Sequence, residues 1–324
     1  MVSVAGLGCG GSSRLGLTSG HSEAHCAGII RQALDLGVNL IDTAKNYGTE
    51  PIVGAALKSI VRDAVVISTK HKVNEGKTLI PAAQIVAGLN ESLKLLGTDY
   101  IDIFFLHTVL PDAYDHVVTA VLPALLREQE KGKFRFLGIT ELAPQDPRHE
   151  MLQRALRDNY WDVVMFAFHM LSQNARQHVF PATQSRGVGA LIMFAVRSLF
   201  SMPGRLQQDI KALAAAGKLP AWLAEKELPL DFLLHDRGAQ SIIEAAYRYA
   251  RHEPGANVVL FGTGNPAHVA PNIGAILKPP LPVEDVKKLT ELFGALEGVG
   301  LDRPQRKPTA PGQRNNVIAM PVVP

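Results

Sequence analysis

Eight short runs rich in β-branched and apolar residues recur along the chain, at 2–6, 39–42, 64–68, 100–106, 134–139, 162–168, 189–194 and 257–261. Between them the apolar positions change to three- and four-residue spacing, as in Ile29, Ile30, Ala33 and Leu34, and again in Ile85, Leu89, Leu93 and Leu96. The short runs predict strands, and the longer spacing predicts amphipathic helices that bury one face. The punctuation agrees. Ser22 is placed to cap the first helix, Pro81 and Pro147 suit opening turns, and Gly37, Gly97 and Gly132 follow the last periodic residues. Strands that are apolar almost throughout belong to a parallel sheet covered by helices, and eight β-α units predict closure into a (β/α)8 TIM barrel, an α/β fold.

On this reading residues 1–299 form a single barrel domain. The segment 197–240 separates the seventh strand from its helix. A connection of that length is expected to be a functional loop over the barrel mouth, and it carries its own helical pattern at 206–213. The stretch 300–324 holds five prolines and little periodicity, which predicts an extended arm rather than a second domain.

Composition narrows the function classes. With 47% hydrophobic and 19% charged residues over 324 positions, the chain has enough apolar surface for one large core. Its net charge of +3 is spread thinly, so the concentrated basic face of a nucleic-acid binder is missing. Two cysteines, Cys9 and Cys26, give no disulfide framework and point to a reducing compartment. The first residues lack the charged and apolar regions of a signal peptide, and the longest apolar stretch, near 188–196, is too short for a bilayer. A cytoplasmic protein without a membrane partner is expected, monomeric or weakly homo-oligomeric.

The stretch GLGCGG at 6–11 fits the G-x-G-x-x-G fingerprint of dinucleotide-binding Rossmann folds. That fingerprint works only where a helix opens at the motif and meets the pyrophosphate, whereas here the helical pattern waits until Ser22. The next acidic residue at a strand end, Asp42, lies 31 positions beyond Gly11, where the fingerprint expects about 20. A glycine-rich loop at a barrel mouth, with Gly8 and Gly10 against a ligand, accounts for the sequence better. His21 and His25 have ligand-like helical spacing but no further metal ligand beside them, so they read as surface histidines. No G-x-S-x-G elbow, H-E-x-x-H pair, Walker loop or C-x-x-C pair occurs.

In such a barrel the carboxyl ends of the strands carry the chemistry. Strand two ends in Asp42, with Tyr47 five residues on; strand three ends at Lys70 and strand four at His107. An acid, a phenol, an ammonium and an imidazole are thereby expected at one side of the mouth, which makes a proton-transfer site. Lys70 is expected to lower the pKa of Tyr47, Asp42 to hold Lys70 charged, and His107 to hydrogen-bond a substrate oxygen.

The passages GVNLIDTAKNYG at 37–48, ISTK at 67–70, YIDIFFLH at 100–107, GKFRFLGIT at 132–140 and GTGNPAHVAPNIGAI at 262–276 resemble the motifs of the aldo-keto reductase family. The resemblance covers residues 2–276 and, through GTGNP, is similar to the galactose and fucose dehydrogenase branch. It implies hydride transfer between bound NADP or NAD and a small aldehyde, ketone or sugar, with Tyr47 as general acid or base. It also implies which residues hold the cofactor. The carboxamide positions fall on Thr140, on Glu141 where many relatives carry Asn, and on Met165 where many carry Gln. The ring-stacking position, often Tyr, falls on Phe194 or Met193. Gly262 and His268 align with the Lys and Arg that some relatives use for the 2′-phosphate, and Gly262, Thr263, Gly264, Asn265 and Asn272 line the loop after strand eight. The amino-terminal hairpin that closes the barrel floor in relatives is missing before strand one, which leaves a shortened start or the proline-rich tail as its replacement. The altered positions 141 and 165 also admit a regulatory, cofactor-binding role resembling that of potassium-channel beta subunits.

Overall fold

The computed structural model describes residues 1–301. Eight parallel strands close into a barrel: β1 (Ala5–Gly8), β2 (Leu40–Asp42), β3 (Val66–Lys72), β4 (Ile101–Val109), β5 (Phe134–Glu141), β6 (Val163–Ala167), β7 (Gly189–Met193) and β8 (Val258–Phe261), with β8 pairing back onto β1. Eight helices follow them in turn: α1 (Glu23–Asp35), α2 (Glu50–Leu57), α3 (Ala82–Leu96), α4 (Leu122–Glu130), α5 (Glu150–Ala155), α6 (Phe180–Arg186), α7 (Ile242–Arg251) and α8 (Val269–Leu277). A further helix, Val283–Phe293, lies beyond α8. This is the expected TIM barrel.

The strands differ from the expectation at their ends. β3, β4 and β5 run on through Lys72, Val109 and Glu141, because the ladder pairs backbone groups and does not stop where polar side chains begin. β1 starts three residues later than its apolar run and absorbs Gly6 and Gly8, so half of the glycine-rich stretch is strand rather than loop. A Cβ on Gly6 would lie 2.7 Å from Leu260 and 2.8 Å from Leu40, inside the barrel. Ser22 caps α1 by accepting the His25 N–H, and Pro81 precedes the first turn of α3 as anticipated. Pro147 does not open α5. There His149 adopts a left-handed conformation and Asp146 caps the helix by accepting from the N–H groups of Glu150 and Met151.

Side chains alternate between the barrel interior and the helix layer, as the two-residue strand period requires. Leu40, Ile103, Phe105, Val163, Met165, Leu191 and Val258 fill the interior, while the larger core lies between strands and helices. Gly138 makes room for Phe105, whose ring would sit 2.3 Å from a Cβ there, so the aromatic ring can occupy the layer directly under the mouth. At the opposite end the floor is a pit of about 560 Å³, lined by Val2, Leu40, Ile103, Phe136, Trp161 and Leu191 together with the polar Asp158, Asp162, Arg186 and Asn257.

The segment 197–240 forms three helices, Ser198–Ser201, Arg205–Ala215 and Ala221–Glu225, the second matching its periodic pattern. Gly300 packs against Leu199, and Leu301 joins Ala143, Ala167, Met193 and Phe194 at the carboxyl ends of the strands. The chain therefore reaches its last described residue at the mouth. Most of the predicted arm, from 302 onward, lies outside the described residues. No helix among the described residues is long and apolar enough to cross a membrane.

Gly54 sets the spacing between α2 and α3: a Cβ there would come within 2.5 Å of the Leu95 carbonyl oxygen, a backbone atom that cannot rotate away. Gly54→Val is expected to lower stability by about 1–3 kcal/mol through overpacking, measured as a shift in the midpoint of urea unfolding.

Candidate active site

Register and alternation bring the predicted residues together. Gly8, Asp42 and Ser68 pair across β1, β2 and β3, and Ser68 pairs in turn with Ile103 on β4. Lys70 lies two residues beyond Ser68, and His107 two beyond Phe105, itself the pairing partner of Lys70. Period two therefore turns Asp42, Ser68, Lys70, Phe105 and His107 to the same interior face.

Asp42 and Lys70 form a buried ion pair. The ammonium donates to both carboxylate oxygens at 2.6 and 2.7 Å and to the carbonyl oxygen of Thr43 at 2.8 Å, so its three protons are all used. Ser68 donates its hydroxyl proton to Asp42 at 2.5 Å. Burial works against the charge on Lys70, but the Asp42 carboxylate outweighs it and holds the ammonium above its ordinary value.

Tyr47 is carried by the short turn Lys45–Tyr47, which Gly48 ends in a left-handed conformation. That loop is clamped at its far end, where the hydroxyls of Thr43 and Thr49 bond at 2.7 Å and Thr69 donates to Glu50 at 2.6 Å. The Tyr47 hydroxyl lies 3.3 Å from Nε2 of His107, and Nζ of Lys70 is 5.4 Å from the centre of the phenol ring. The site thus gathers all four residues, but the ammonium acts on the phenol through space and donates its protons elsewhere.

This changes the expected electrostatics. Burial raises the pKa of Tyr47 more than Lys70 lowers it, and Asp42 and Cys9 push in the same direction as burial. The net shift is upward, opposite to the sequence expectation, because burial outweighs the field of Lys70, which Asp42 partly offsets. Tyr47 is a neutral phenol, suited to giving a proton. His107 is pushed well below its ordinary value by burial and by the neighbouring charges of Lys70 and Lys72, so its ring is neutral. Cys9, whose N–H donates to the Asp42 carbonyl, is a fully buried thiol that burial and Asp42 drive far up.

The expected cofactor residues divide by side-chain direction. Thr140 Oγ1 accepts the Thr108 N–H at 2.8 Å and keeps its own proton for another acceptor. Glu141, its neighbour on the strand, faces the helix layer. One of its oxygens accepts the Ala167 N–H at 2.9 Å, and the other lies 2.6 Å from Nδ1 of His149. Burial opposes a charge on His149, but the Glu141 carboxylate and the Asn174 oxygen, 3.2 Å from Nε2, outweigh it and raise its pKa. Glu141 is thereby neutralised behind the strand. Met165 fills the interior one layer beneath Ala167. Phe194 has a φ of 68°, with the guanidinium of Arg197 at 3.9 Å over its ring, while Met193 packs beside it.

After β8, Gly264 presses against the loop that follows β1, where a Cβ would meet Gly16 at 2.9 Å. His25 ties this contact to α1 by bonding the Gly264 carbonyl at 3.0 Å, and its ring stacks on His21 at 4.1 Å. Asn265 accepts the Ala267 N–H and caps the turn Pro266–His268, and Thr263 Oγ1 accepts the Asn265 N–H. Gly262 approaches Gly8, whose carbonyl oxygen would be 3.1 Å from an added Cβ. His268 is exposed and Asn272 half-buried on α8. Gly10 leaves room for Tyr47, whose ring would lie 2.3 Å from a Cβ.

Ser68, Asn46, Thr108, His149 and Asn174 went unread in the sequence. Ser68 carried a usable signal, since it stands two residues before Lys70 on a strand. Asn46, which bonds Nδ1 of His107 at 3.1 Å, and His149 carried none, because their partners lie far along the chain.

Comparison with known proteins agrees with the fold. The model of the Aldo/keto reductase family matches residues 7–293, and the chain belongs to that family. It is 30% identical over 197 residues to L-galactose dehydrogenase of Arabidopsis thaliana, a match spanning 59% of this chain and 60% of that relative, under two thirds of its length. It is 27% identical to an aldo-keto reductase of Bacillus subtilis, over 74% of this chain and 75% of the relative. It is 25% identical to L-glyceraldehyde 3-phosphate reductase of Escherichia coli, over 76% and 78% respectively. Among solved structures, the holo form of an aldo-keto reductase from Bacillus halodurans superposes with a TM-score of 0.67 at 23% identity, covering 91% of this chain and 93% of the other. A Klebsiella pneumoniae aldo/keto reductase in complex with NADP and acetate superposes at 0.64 with 20% identity, over 90% and 92%.

The protein is therefore a nicotinamide-dependent oxidoreductase by family. The chemistry of its mouth fits that cofactor: the carboxylates Asp42 and Glu141 are each paired, and Thr140 has a proton to give.

Two outcomes follow from the ion pairs. Lys70→Met leaves Asp42 buried and unpaired and is expected to cost about 3–5 kcal/mol in urea unfolding, whereas the double change Asp42→Leu with Lys70→Met recovers most of it. The raised pKa of His149 stabilises the fold fully below its unfolded value of 6.5, and this is lost as pH rises through the higher folded value. The stability advantage of the wild type over His149→Gln should accordingly shrink as pH is raised above neutrality.

Proposed function

We propose that the protein interconverts small aldehydes, ketones or sugars and the corresponding alcohols, as an aldose-type reductase or dehydrogenase with Tyr47 as general acid and base. The observation that carries this reading is a neutral, half-buried phenol held between a paired ammonium and a neutral imidazole. The names of the relatives, L-galactose dehydrogenase and L-glyceraldehyde 3-phosphate reductase, support hydroxylated aldehydes and sugars as the substrate class.

When bound, the nicotinamide supplies or accepts the hydride at the carbonyl carbon. In reduction Tyr47 gives its proton to the carbonyl oxygen, and the phenolate left behind has the Lys70 ammonium 5.4 Å from its ring centre; in oxidation the phenolate takes the proton from the alcohol. Asp42 keeps Lys70 charged and fixed throughout. Thr140, with its proton free, is the side-chain donor available to the carboxamide. Phe194, covered by Arg197 on one side, offers an aromatic edge or face at the ring position.

Tyr47→Phe removes the proton and little else. It is expected to lower kcat for aldehyde reduction by about 10²–10⁴-fold while leaving the NADPH dissociation constant, followed by the fluorescence of the nucleotide itself, nearly unchanged. A variant that retains most of its activity would overturn the assignment of Tyr47. Wild-type protein that binds nucleotide but turns over no aldehyde or sugar would favour a regulatory role. Trp161 is unsuited as a reporter, since it lines the floor and donates to Tyr114.

A further inference from the structure

Asn46 stands on the exposed rim of the mouth, one residue before Tyr47, with its Oδ1 3.1 Å from Nδ1 of His107. On the other side of the imidazole, Nε2 is 3.3 Å from the Tyr47 hydroxyl. The ring is neutral and has a single proton to place. An amide oxygen facing Nδ1 calls for that proton at Nδ1, since otherwise two lone pairs would face one another, and the second nitrogen is then left as an acceptor. The phenol O–H supplies the matching donor.

From this geometry we infer that Asn46 is a positioning residue that fixes His107 as the Nδ1–H tautomer, and that the bare Nε2 selects substrates that offer it a hydroxyl proton. Such a donor is the hydroxyl on the carbon next to the carbonyl of a hydroxy-aldehyde or sugar. A simple aldehyde has no proton to give and leaves Nε2 competing with the carbonyl oxygen for the phenol's proton. The hydroxy-aldehyde occupies Nε2 with its own hydroxyl and frees Tyr47 to point at the carbonyl. This substrate preference rests on the reading of the mouth as a carbonyl–alcohol site; the tautomer does not.

The two halves are tested separately. In protein labelled with 15N-histidine and free of nucleotide, the ring signals of His107, assigned by their loss in His107→Asn, should show a pyrrole-like Nδ1 and a pyridine-like Nε2. Asn46→Leu should shift them toward the other tautomer, and Asn46→Asp, which keeps an acceptor oxygen, should restore the wild-type pattern. A wild-type ring protonated at Nε2, or a tautomer indifferent to Asn46→Leu, overturns the role of Asn46. In steady-state assays with NADPH, lactaldehyde and propanal differ by one hydroxyl. The wild type should favour lactaldehyde in kcat/KM, and Asn46→Leu should reduce that preference about tenfold, the scale of one hydrogen bond of about 1.4 kcal/mol. Equal losses on both aldehydes overturn the substrate preference. If neither is turned over while the Nδ1–H tautomer is present, the carbonyl–alcohol reading and the preference built on it fail together, and the assignment of Asn46 stands.

Discussion

Between the ends of β2 and β3 a carboxylate and an ammonium lie 2.6–2.7 Å apart, both almost wholly withdrawn from water. Taking two such ions from solvent costs several kcal/mol each, and their attraction offsets this only where every remaining hydrogen-bonding position is filled. Here the conditions are met: Lys70 uses all three protons and Asp42 also accepts from Ser68. The rest of the mouth depends on this pair. It joins two neighbouring strands at their carboxyl ends, ties the Thr43 carbonyl at the root of the Tyr47 loop, and sets the field felt by the phenol and imidazole. Were Lys70 unpaired, its charge would pull the phenol toward ionisation; balanced by Asp42, it leaves burial to decide, and both Tyr47 and His107 stay neutral.

A second buried pair repeats the device behind β5. Glu141 and His149 are both completely enclosed, and Asn174 holds the far side of the imidazole while its own amide donates to the Pro147 carbonyl. Three of the non-glycine residues with positive φ belong to this end of the barrel: Thr108 is the penultimate residue of β4, Phe194 directly follows β7, and His149 opens α5 after β5. Such conformations cost about 1–3 kcal/mol each and persist where the surroundings determine them fully. Thr108 is held by Thr140, His149 by Glu141, and Phe194 lies under Arg197. The rim of the barrel is thus a set of mutually fixed side chains on rigid strand ends.

These two pairs also account for how the chain departs from the aldo-keto reductase pattern. Glu141 would place a negative charge beside the cofactor if it faced the mouth. Facing outward and neutralised by His149, it serves instead to fix the strand that carries Thr140. Met165 belongs to the apolar layer under the site, next to Phe105, and contributes shape rather than hydrogen bonds.

The alternation of apolar runs with helical spacing was enough to give eight β-α units, and the barrel follows because parallel strands covered by helices have few other ways to bury both faces. That Asp42, Tyr47, Lys70 and His107 would gather at one side of the mouth was legible as well, since they stand at or just beyond successive strand ends. Their energetics were not: a sequence shows that a lysine can lie near a tyrosine, but whether that charge is free or already balanced depends on distances between segments far apart in the chain. Side-chain direction was only partly legible. Period two separates Thr140 from Glu141, yet the choice of which faces the mouth is made by the register of the closed ladder. Asn46 against His107, His149 behind Glu141, and Leu301 at the mouth are long-range placements. They leave no local mark on propensity or periodicity, and only the closing of the barrel decides them.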